Sequence, residues 1–133
     1  MKYIPSVAFS ICDYRADADF RPLESYIRDM VQRVLCEGLP KGVCLNVNFP
    51  KAETFKGVRL CRMSYGTWTN EVNKCNHPRG YDYWWMVGSY VNDEPEAEDT
   101  DRWALDNGYV AITPTKIDVT AYEAFDQLKD YER

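Results

Sequence analysis

The feature that most constrains the fold is a change of hydrophobic period near the start of the chain. Residues 4–11 are almost continuously apolar, which is typical of a buried strand. Residues 22–37 carry apolar side chains at spacings of three and four, which predicts an amphipathic helix ended by Gly38 and Pro40. Its apolar stripe is Leu23, Ile27, Met30, Val31, Val34 and Leu35. Residues 43–49 are strand-like again, so this region predicts a βαβ unit with parallel strands.

The middle of the chain predicts a protruding hairpin. Residues 57–63 and 81–88 are two strand-like runs, and the stretch between them is polar. We expect these two runs to pair antiparallel across a long connection and to form an arm. The arm is rich in aromatic side chains: Tyr65, Trp68, Tyr83, Trp84 and Trp85. A hairpin cannot cover so many rings by itself, which favours burial against another chain or domain.

The last third returns to alternating strand and helix signals. Residues 93–101 form an acidic loop with six carboxylates, and Thr100 is placed to cap a short helix that reaches Leu105 and ends at Gly108. Residues 109–114 predict another strand. Thr120 and Glu123 match a capping box for a terminal helix. Its expected buried face is Tyr122, Phe125 and Leu128. The fold class predicted by the whole pattern is α/β.

Composition narrows the possible partners. The net charge is −5 and the sequence pI is about 4.9, which argues against binding a nucleic-acid polymer. No apolar run is long enough to cross a membrane, and the start of the chain lacks the apolar stretch of a signal peptide. The cysteines are odd in number and never spaced as Cys-x-x-Cys: Cys12, Cys36, Cys44, Cys61 and Cys75. Free thiols fit a reducing cytoplasm, which is the expected location.

Charged side chains of the second half offer few candidates for chemistry. The acidic run from Asp93 to Asp101 could bind a divalent cation, but Pro95 interrupts it and its spacing matches no calcium loop, so a solvated loop is the expectation. Asp101 would then favour a helix N-terminus. His77 is the only histidine and has no recognisable catalytic partner. Arg79 is a candidate for the substrate rim, because guanidinium groups suit phosphate; the alternative is a turn or interface role.

Polar and aromatic strand residues provide the remaining candidates. Ser10 ends the first strand and could reach a ligand at its carboxyl edge, so it is the second substrate-rim candidate. Asn46 and Asn48 share one side of a strand, where fixing neighbouring loops is the favoured role. Trp84 and Trp85 point to opposite faces, so at most one can stack on a base, and structural packing is favoured for both. No catalytic or metal-binding residue is assigned.

Three stretches in order resemble the C-terminal half of the SurE family, which comprises 5′/3′-nucleotidases. They are residues 38–50 (GLPKGVCLNVNFP), residues 100–105 (TDRWAL) and residues 107–114 (NGYVAITP). Residues 4–10 (IPSVAFS) resemble a family strand, and residues 77–80 (HPRG) with Tyr83 and Trp84 resemble the arm of the family. The resemblance therefore covers nearly the whole chain.

The resemblance implies a three-layer α/β/α fold with an extended β-hairpin arm and a C-terminal helix used in oligomerisation. It also implies a metal-dependent hydrolase that acts on nucleoside monophosphates and uses a divalent metal, Mg²⁺ or Mn²⁺. In that family a Thr-Asn-Asp-Asp motif in the first half binds the metal, and no Asn-Asp-Asp sequence occurs here. We therefore expect this chain to bind no metal and to be inactive alone. Met1 could be a native start, an artificial boundary or the result of a broken gene.

These observations predict a single partial domain over residues 1–133. Residues 1–56 supply the βαβ part, residues 57–91 the β-hairpin arm, and residues 92–133 a return strand and the C-terminal helix. The predicted function is that of a SurE-type nucleotidase, present as a C-terminal segment. The alternative is a non-catalytic assembly module. In either case the expected partner is a second copy, through the arm and the terminal helix, and no membrane.

Overall fold

The computed structural model describes residues 4–132, so Met1 and the two ends of the predicted domain lie outside the described residues. The strands in this range are β1 (Ser6–Ile11), β2 (Val43–Phe49), β3 (Val58–Leu60), β4 (Gly66–Thr69), β5 (Val72–Asn76), β6 (Asp82–Met86), β7 (Ser89–Asn92) and β8 (Val110–Lys116). The helices are α1 (Glu24–Glu37), α2 (Asp101–Asp106) and α3 (Phe125–Leu128), with 3₁₀ turns at Arg21–Leu23, Tyr122–Ala124 and Lys129–Tyr131.

The main sheet is mixed and has the strand order β1-β2-β8-β3. β1 and β2 are parallel and joined by α1, which confirms the predicted βαβ unit. β8 runs antiparallel to β2, and β3 is parallel to β8. β1 is an edge strand of this sheet, since β2 is its one paired neighbour within residues 4–132.

Helix α1 covers one face of the sheet. Leu23 is 2% exposed and packs in a core cluster with Val47, Phe49 and Val110. Tyr26, Ile27 and Met30 pack against that cluster. The predicted stripe was too wide, because Val31 and Leu35 are exposed. Pro22 lies in the 3₁₀ turn before α1, and Gly38 caps the end with a positive φ. The apolar face of α1 therefore positions β1 and β2 through one aromatic-rich core.

Helix α2 covers part of the opposite face. Ala104 packs in a second cluster with Cys61 and Ala111. Val110 and Ala111 are neighbours in β8 and belong to different clusters, as expected for side chains on opposite faces of a strand. Thr100 caps α2 as predicted: its Oγ1 accepts a hydrogen bond of 3.2 Å from the N–H of Trp103. The chain thus has the α/β fold class that its sequence predicts, with helices on both sides of the sheet.

The arm is built differently from the predicted pairing. β5 pairs antiparallel with β6, and β4 pairs antiparallel with β7. Residues 57–63 do not pair with residues 81–88, because β3 belongs to the main sheet and runs parallel to β8. The polar stretch expected to be a connection instead contains β4 and β5. The error arose because β4 and β5 are exposed and largely polar, so hydrophobic patterning does not register them as strands.

The terminal helix is present but short and broken by 3₁₀ turns. The predicted capping box does not form: Ala121 holds the first cap position, and Thr120 donates its backbone N–H to Asp118. The expected buried face is exposed, at 62%, 59% and 52% for Tyr122, Phe125 and Leu128. These side chains therefore form an uncovered apolar stripe. Within residues 4–132 no helix is long and apolar enough to cross a membrane.

Candidate functional site

The face of the sheet opposite α1 is polar along β1 and β2. Leu45, Val47 and Phe49 pack toward α1, so Asn46 and Asn48 share the other face, as predicted. Ser10 is exposed and stands in register with Asn48. Thr113 stands in register with Asn46, and its Oγ1 is buried without a hydrogen-bond partner among the described residues. Because buried hydroxyls are normally paired, this polar face is suited to contact with a further polar element.

Asp13 lies immediately beyond β1, at the edge where the two parallel strands end, and it was not singled out from the sequence. Its carboxylate accepts hydrogen bonds from the guanidinium of Arg15, and the Nζ of Lys51 lies 3.6 Å away. The Asp13 side chain is 5% exposed. These partners, Arg15 first, lower the pKa of Asp13 to about 2. Asp13 is therefore a negative charge that is neutralised by Arg15 and Lys51, which favours a structural role.

Arg79 and Ser10 are not brought together. Ser10 belongs to the main sheet, whereas Arg79 lies in the turn between β5 and β6, which is a separate sheet. The backbone N–H of Arg79 donates to Nδ1 of His77 at 3.2 Å. The His77 ring stacks on Tyr81 with centroids 4.3 Å apart. The contact of Arg79 with His77 fits a turn role for this part of the arm, which was the alternative considered for Arg79. The substrate-rim roles of Ser10 and Arg79 stay predictions.

The two adjacent tryptophans of β6 stand on opposite faces of the β5–β6 hairpin. Trp84 is in register with Lys74, and Trp85 is in register with Asn73. Trp85 also contacts the Tyr83 ring edge-on, at 6.3 Å between centroids. Both indoles are largely exposed, at 63% and 60%. Neither is covered by the described residues, so the arm presents apolar surface on both faces.

The acidic run is only partly the solvated loop that its charge predicts. Glu94 binds the Arg62 guanidinium through both carboxylate oxygens, at 2.6 and 2.9 Å, and Asp99 binds Arg62 Nε at 2.8 Å. The N–H of Tyr65 adds a third hydrogen bond to Glu94. The Arg62 bond, with the Tyr65 bond in support, lowers the pKa of Glu94. We call Arg62, Glu94 and Asp99 the arm joint, because they tie the start of the arm to its end.

Asp101 has two backbone contacts instead of a ligand. Its carboxylate accepts hydrogen bonds from the N–H of Ser64 and the N–H of Arg102 at the start of α2, which agrees with its predicted place at a helix N-terminus. Across residues 4–132, no group of three or more His, Cys, Asp or Glu side chains is arranged to hold a metal ion. The carboxylates of the arm joint are occupied by Arg62. The donor set of these residues therefore does not fit the divalent metal that the resemblance implies.

A cleft of about 680 Å³ opens between the arm and the carboxyl end of the sheet. Tyr14 comes from the loop after β1, Trp68 and Tyr90 come from β4 and β7, and Arg102 comes from α2. The remaining lining residues are Glu71, Met86, Val87 and Gly88. Sequence reasoning missed this site because its side chains come from three distant segments that no local motif connects.

The C-terminal end of strand β1 and helix α2 lie beside this cleft. The N–H of Cys12 donates to the carbonyl of Phe49 at 2.9 Å, which holds the ends of β1 and β2 together. Burial raises the pKa of the Cys12 thiol, while Arg102 lowers it and Asp106 raises it. Arg102 and Asp106 of α2 therefore lie close to the edge at which α/β folds bind ligands.

Comparisons with known proteins agree on one family. The family described as "Survival protein SurE" matches residues 1–70. Two curated relatives called 5′-nucleotidase SurE are 53% identical over 131 residues (Phocaeicola vulgatus) and 48% identical over 131 residues (Bacteroides thetaiotaomicron). Each alignment covers 98% of this chain but 51% of the relative. The structure of the SurE protein from Aquifex aeolicus matches with a TM-score of 0.72 and 34% identity, over 98% of this chain and 52% of that one. The chain thus spans about half the length of the relatives it matches.

Proposed function

The chain belongs to the SurE family, whose profile matches residues 1–70, and on that premise we propose that it is the C-terminal half of a nucleotidase that hydrolyses nucleoside monophosphates. The observation that carries the proposal is the alignment with 5′-nucleotidases at 53% and 48% identity over 98% of this chain. In the proposed enzyme this half supplies the end of the sheet, the arm and part of the substrate rim. The divalent metal would be held by the other half, because the donor set described above does not fit it.

The open edge of the sheet supports this division. Among residues 4–132 no strand pairs with the outer side of β1, and an edge strand of this kind is a template for another strand. The polar face beside it carries Asn46, Asn48 and the unpartnered hydroxyl of Thr113. A further segment that pairs with β1 and covers this face would satisfy both sets of groups. We propose that the other half of the nucleotidase provides that segment.

The test is complementation by the missing half. Phosphate release from adenosine monophosphate is measured with Mg²⁺ or Mn²⁺ for this chain alone and for its mixture with the half of the Phocaeicola vulgatus relative that does not align with it. We expect no turnover from the chain alone and metal-dependent turnover from the mixture. Turnover by the chain alone that Asp101→Asn abolishes would contradict the proposal. A mixture that forms a stable complex but releases no phosphate would contradict it as well.

The alternative function, a non-catalytic assembly module, rests on the exposed apolar surface of the arm and of α3. Trp84, Trp85 and Met86 are 63%, 60% and 85% exposed, and the apolar stripe of α3 is uncovered too. We propose that a second copy covers these surfaces in either function. All five cysteines are free, which supports the proposed reducing cytoplasm as the location.

Light scattering in dilute solution tests the assembly. We expect the chain to be oligomeric and the double variant Trp84→Thr/Trp85→Thr to shift toward monomer, since it removes apolar contact area without removing strand propensity. Arg28→Gln, on the exposed side of α1, is the matched control and should leave the mass unchanged. A monodisperse monomer for the unaltered chain would refute the assembly proposal.

A further inference from the structure

The cleft between the arm and α2 contains an aromatic platform formed by Trp68 and Tyr90. The Trp68 indole meets Tyr90 edge-on, at 5.7 Å between centroids, and stays 56% exposed. The Tyr90 hydroxyl is fixed by Ser64, at 2.9 Å from its Oγ and 3.2 Å from its carbonyl oxygen. Trp68 is therefore held along one side by a ring that is itself anchored, and an exposed indole in a cleft is well suited to stacking on a planar ring.

Gly88 allows the arm to approach Trp68 closely. Its φ of +141 is strained for any other residue, and a Cβ there would lie 3.3 Å from Cε3 of Trp68 and 3.2 Å from the carbonyl oxygen of Thr69. A side chain at this position would press on the indole and enter the cleft. The glycine thus keeps the space in front of the platform open.

A cationic side chain, Arg102, and an anionic one, Glu71, line the same cleft as the platform. Arg102 pairs with Asp106 through Nε at 2.9 Å, and no other side chain between residues 4 and 132 binds its terminal amino groups. A guanidinium with free amino groups suits a phosphate oxygen. Glu71 lines the cleft as well, and an ionised carboxylate can only accept hydrogen bonds. The cleft therefore combines a stacking surface, a phosphate donor and an acceptor for an amino group.

We propose that this cleft binds the nucleoside monophosphate itself, with the base stacked on Trp68, the phosphate held by Arg102 and an exocyclic amino group of the base donating to Glu71. This inference rests on the proposed function, since it names the substrate subsite that this half of the nucleotidase contributes. A volume of about 680 Å³ lies within the range of small-molecule sites. The acceptor at Glu71 selects bases that carry an amino group, so adenosine monophosphate binds more tightly than inosine monophosphate.

Calorimetric titration of the whole chain with adenosine monophosphate, without metal, tests the cleft separately from hydrolysis. We expect saturable binding at millimolar concentration that is weakened about tenfold by Trp68→Leu, as stacking on one ring predicts. Phe20→Leu is the matched control, because it removes an exposed ring that neither lines the cleft nor belongs to the surfaces proposed to meet a second copy. Arg102→Gln should weaken the monophosphate about tenfold and leave adenosine unchanged. Glu71→Gln should remove the preference for adenosine over inosine monophosphate.

The outcomes separate this inference from the proposed function. Binding of adenosine monophosphate by the chain alone supports the cleft even if the complementation assay releases no phosphate. Absence of saturable binding overturns the cleft even if complementation succeeds. Equal losses from Trp68→Leu and Phe20→Leu overturn it too. If the chain shows no binding and Trp68→Leu becomes monomeric, the cleft is a contact between copies and the inference is also overturned. If Trp68→Leu does not fold, the weaker binding of adenosine monophosphate, but not of adenosine, by Arg102→Gln still tests the cleft.

Discussion

The main sheet and the arm are both rich in aromatic side chains, but those of the sheet are packed together and those of the arm are exposed. In the sheet, Phe49 is fully buried and contacts the rings of Phe9, Tyr26 and Phe55, with centroids 5.6–6.4 Å apart. In the arm, no residue from 66 to 92 is buried, and Trp68, Trp84 and Trp85 are more than half exposed. A two-stranded ribbon without a covered face is marginal in water. The comparison shows that the aromatic side chains of the sheet are buried or partly buried and contribute to its stability, whereas those of the arm remain exposed.

We expect the largest loss of stability from a substitution at the centre of the sheet. Phe49→Ala takes away a fully buried ring and leaves a cavity among three others, so we expect it to lower the free energy of unfolding by about 3–5 kcal/mol. Trp84→Ala in the arm is the control and should change it by less than about 1 kcal/mol. Urea unfolding followed by circular dichroism measures both. Equal losses would mean that the arm is as tightly packed as the sheet, which would break the comparison.

A smaller loss of stability is expected from a substitution at Gly88, which tests whether the arm needs a glycine beside Trp68. Gly88→Ala places a methyl group against Trp68 and Thr69 at an unfavourable φ, and strain of this kind costs about 1–3 kcal/mol. We expect faster amide hydrogen exchange in β4 and β7, with the amides of β1 and β2 unchanged. Gly80→Ala is the matched control, because its φ is also positive, at +86, but no atom lies within 4 Å of the added methyl. Equal exchange in both variants would show that crowding at Trp68 does not matter.

The same contrast explains what the sequence could predict. The βαβ unit was predictable because β1, α1 and β2 bury apolar residues against one another, so burial leaves a period in the sequence. β4 and β5 escaped because exposed, polar strands leave no such period. The predicted capping box at Thr120 does not form, because the backbone N–H that Glu123 would bind donates to Asp118 instead. The arm joint connects Arg62 with Glu94, and the cleft connects segments as far apart as Tyr14 and Arg102, so local patterning carries no information about either.

The smallest expected effect concerns the arm joint and pH. The pKa of Glu94 lies below its ordinary value of 4.5 in the folded chain, chiefly because Arg62 binds its carboxylate. A carboxylate with a depressed pKa stabilises the fold above the ordinary pKa, and this contribution is lost as the pH falls through the folded value. We therefore expect the joint to loosen as the pH falls below the ordinary pKa of 4.5, while the sheet, whose core holds no such carboxylate, persists.

The chemical shift of the Tyr65 amide reports this titration directly, because that N–H donates to Glu94 at 2.8 Å. Glu94→Gln should remove the pH-dependent shift and leave the amides of β2 unchanged. Glu96→Gln, in the same acidic run but without a bond to Arg62 among the described residues, is the matched control and should titrate like the unaltered chain. The change in overall stability should be the smallest of the three, because Arg62 and Asp99 are partly exposed and salt screens such pairs. A titration of β1 or β2 amides together with Tyr65 would show that arm and sheet respond to pH as one unit.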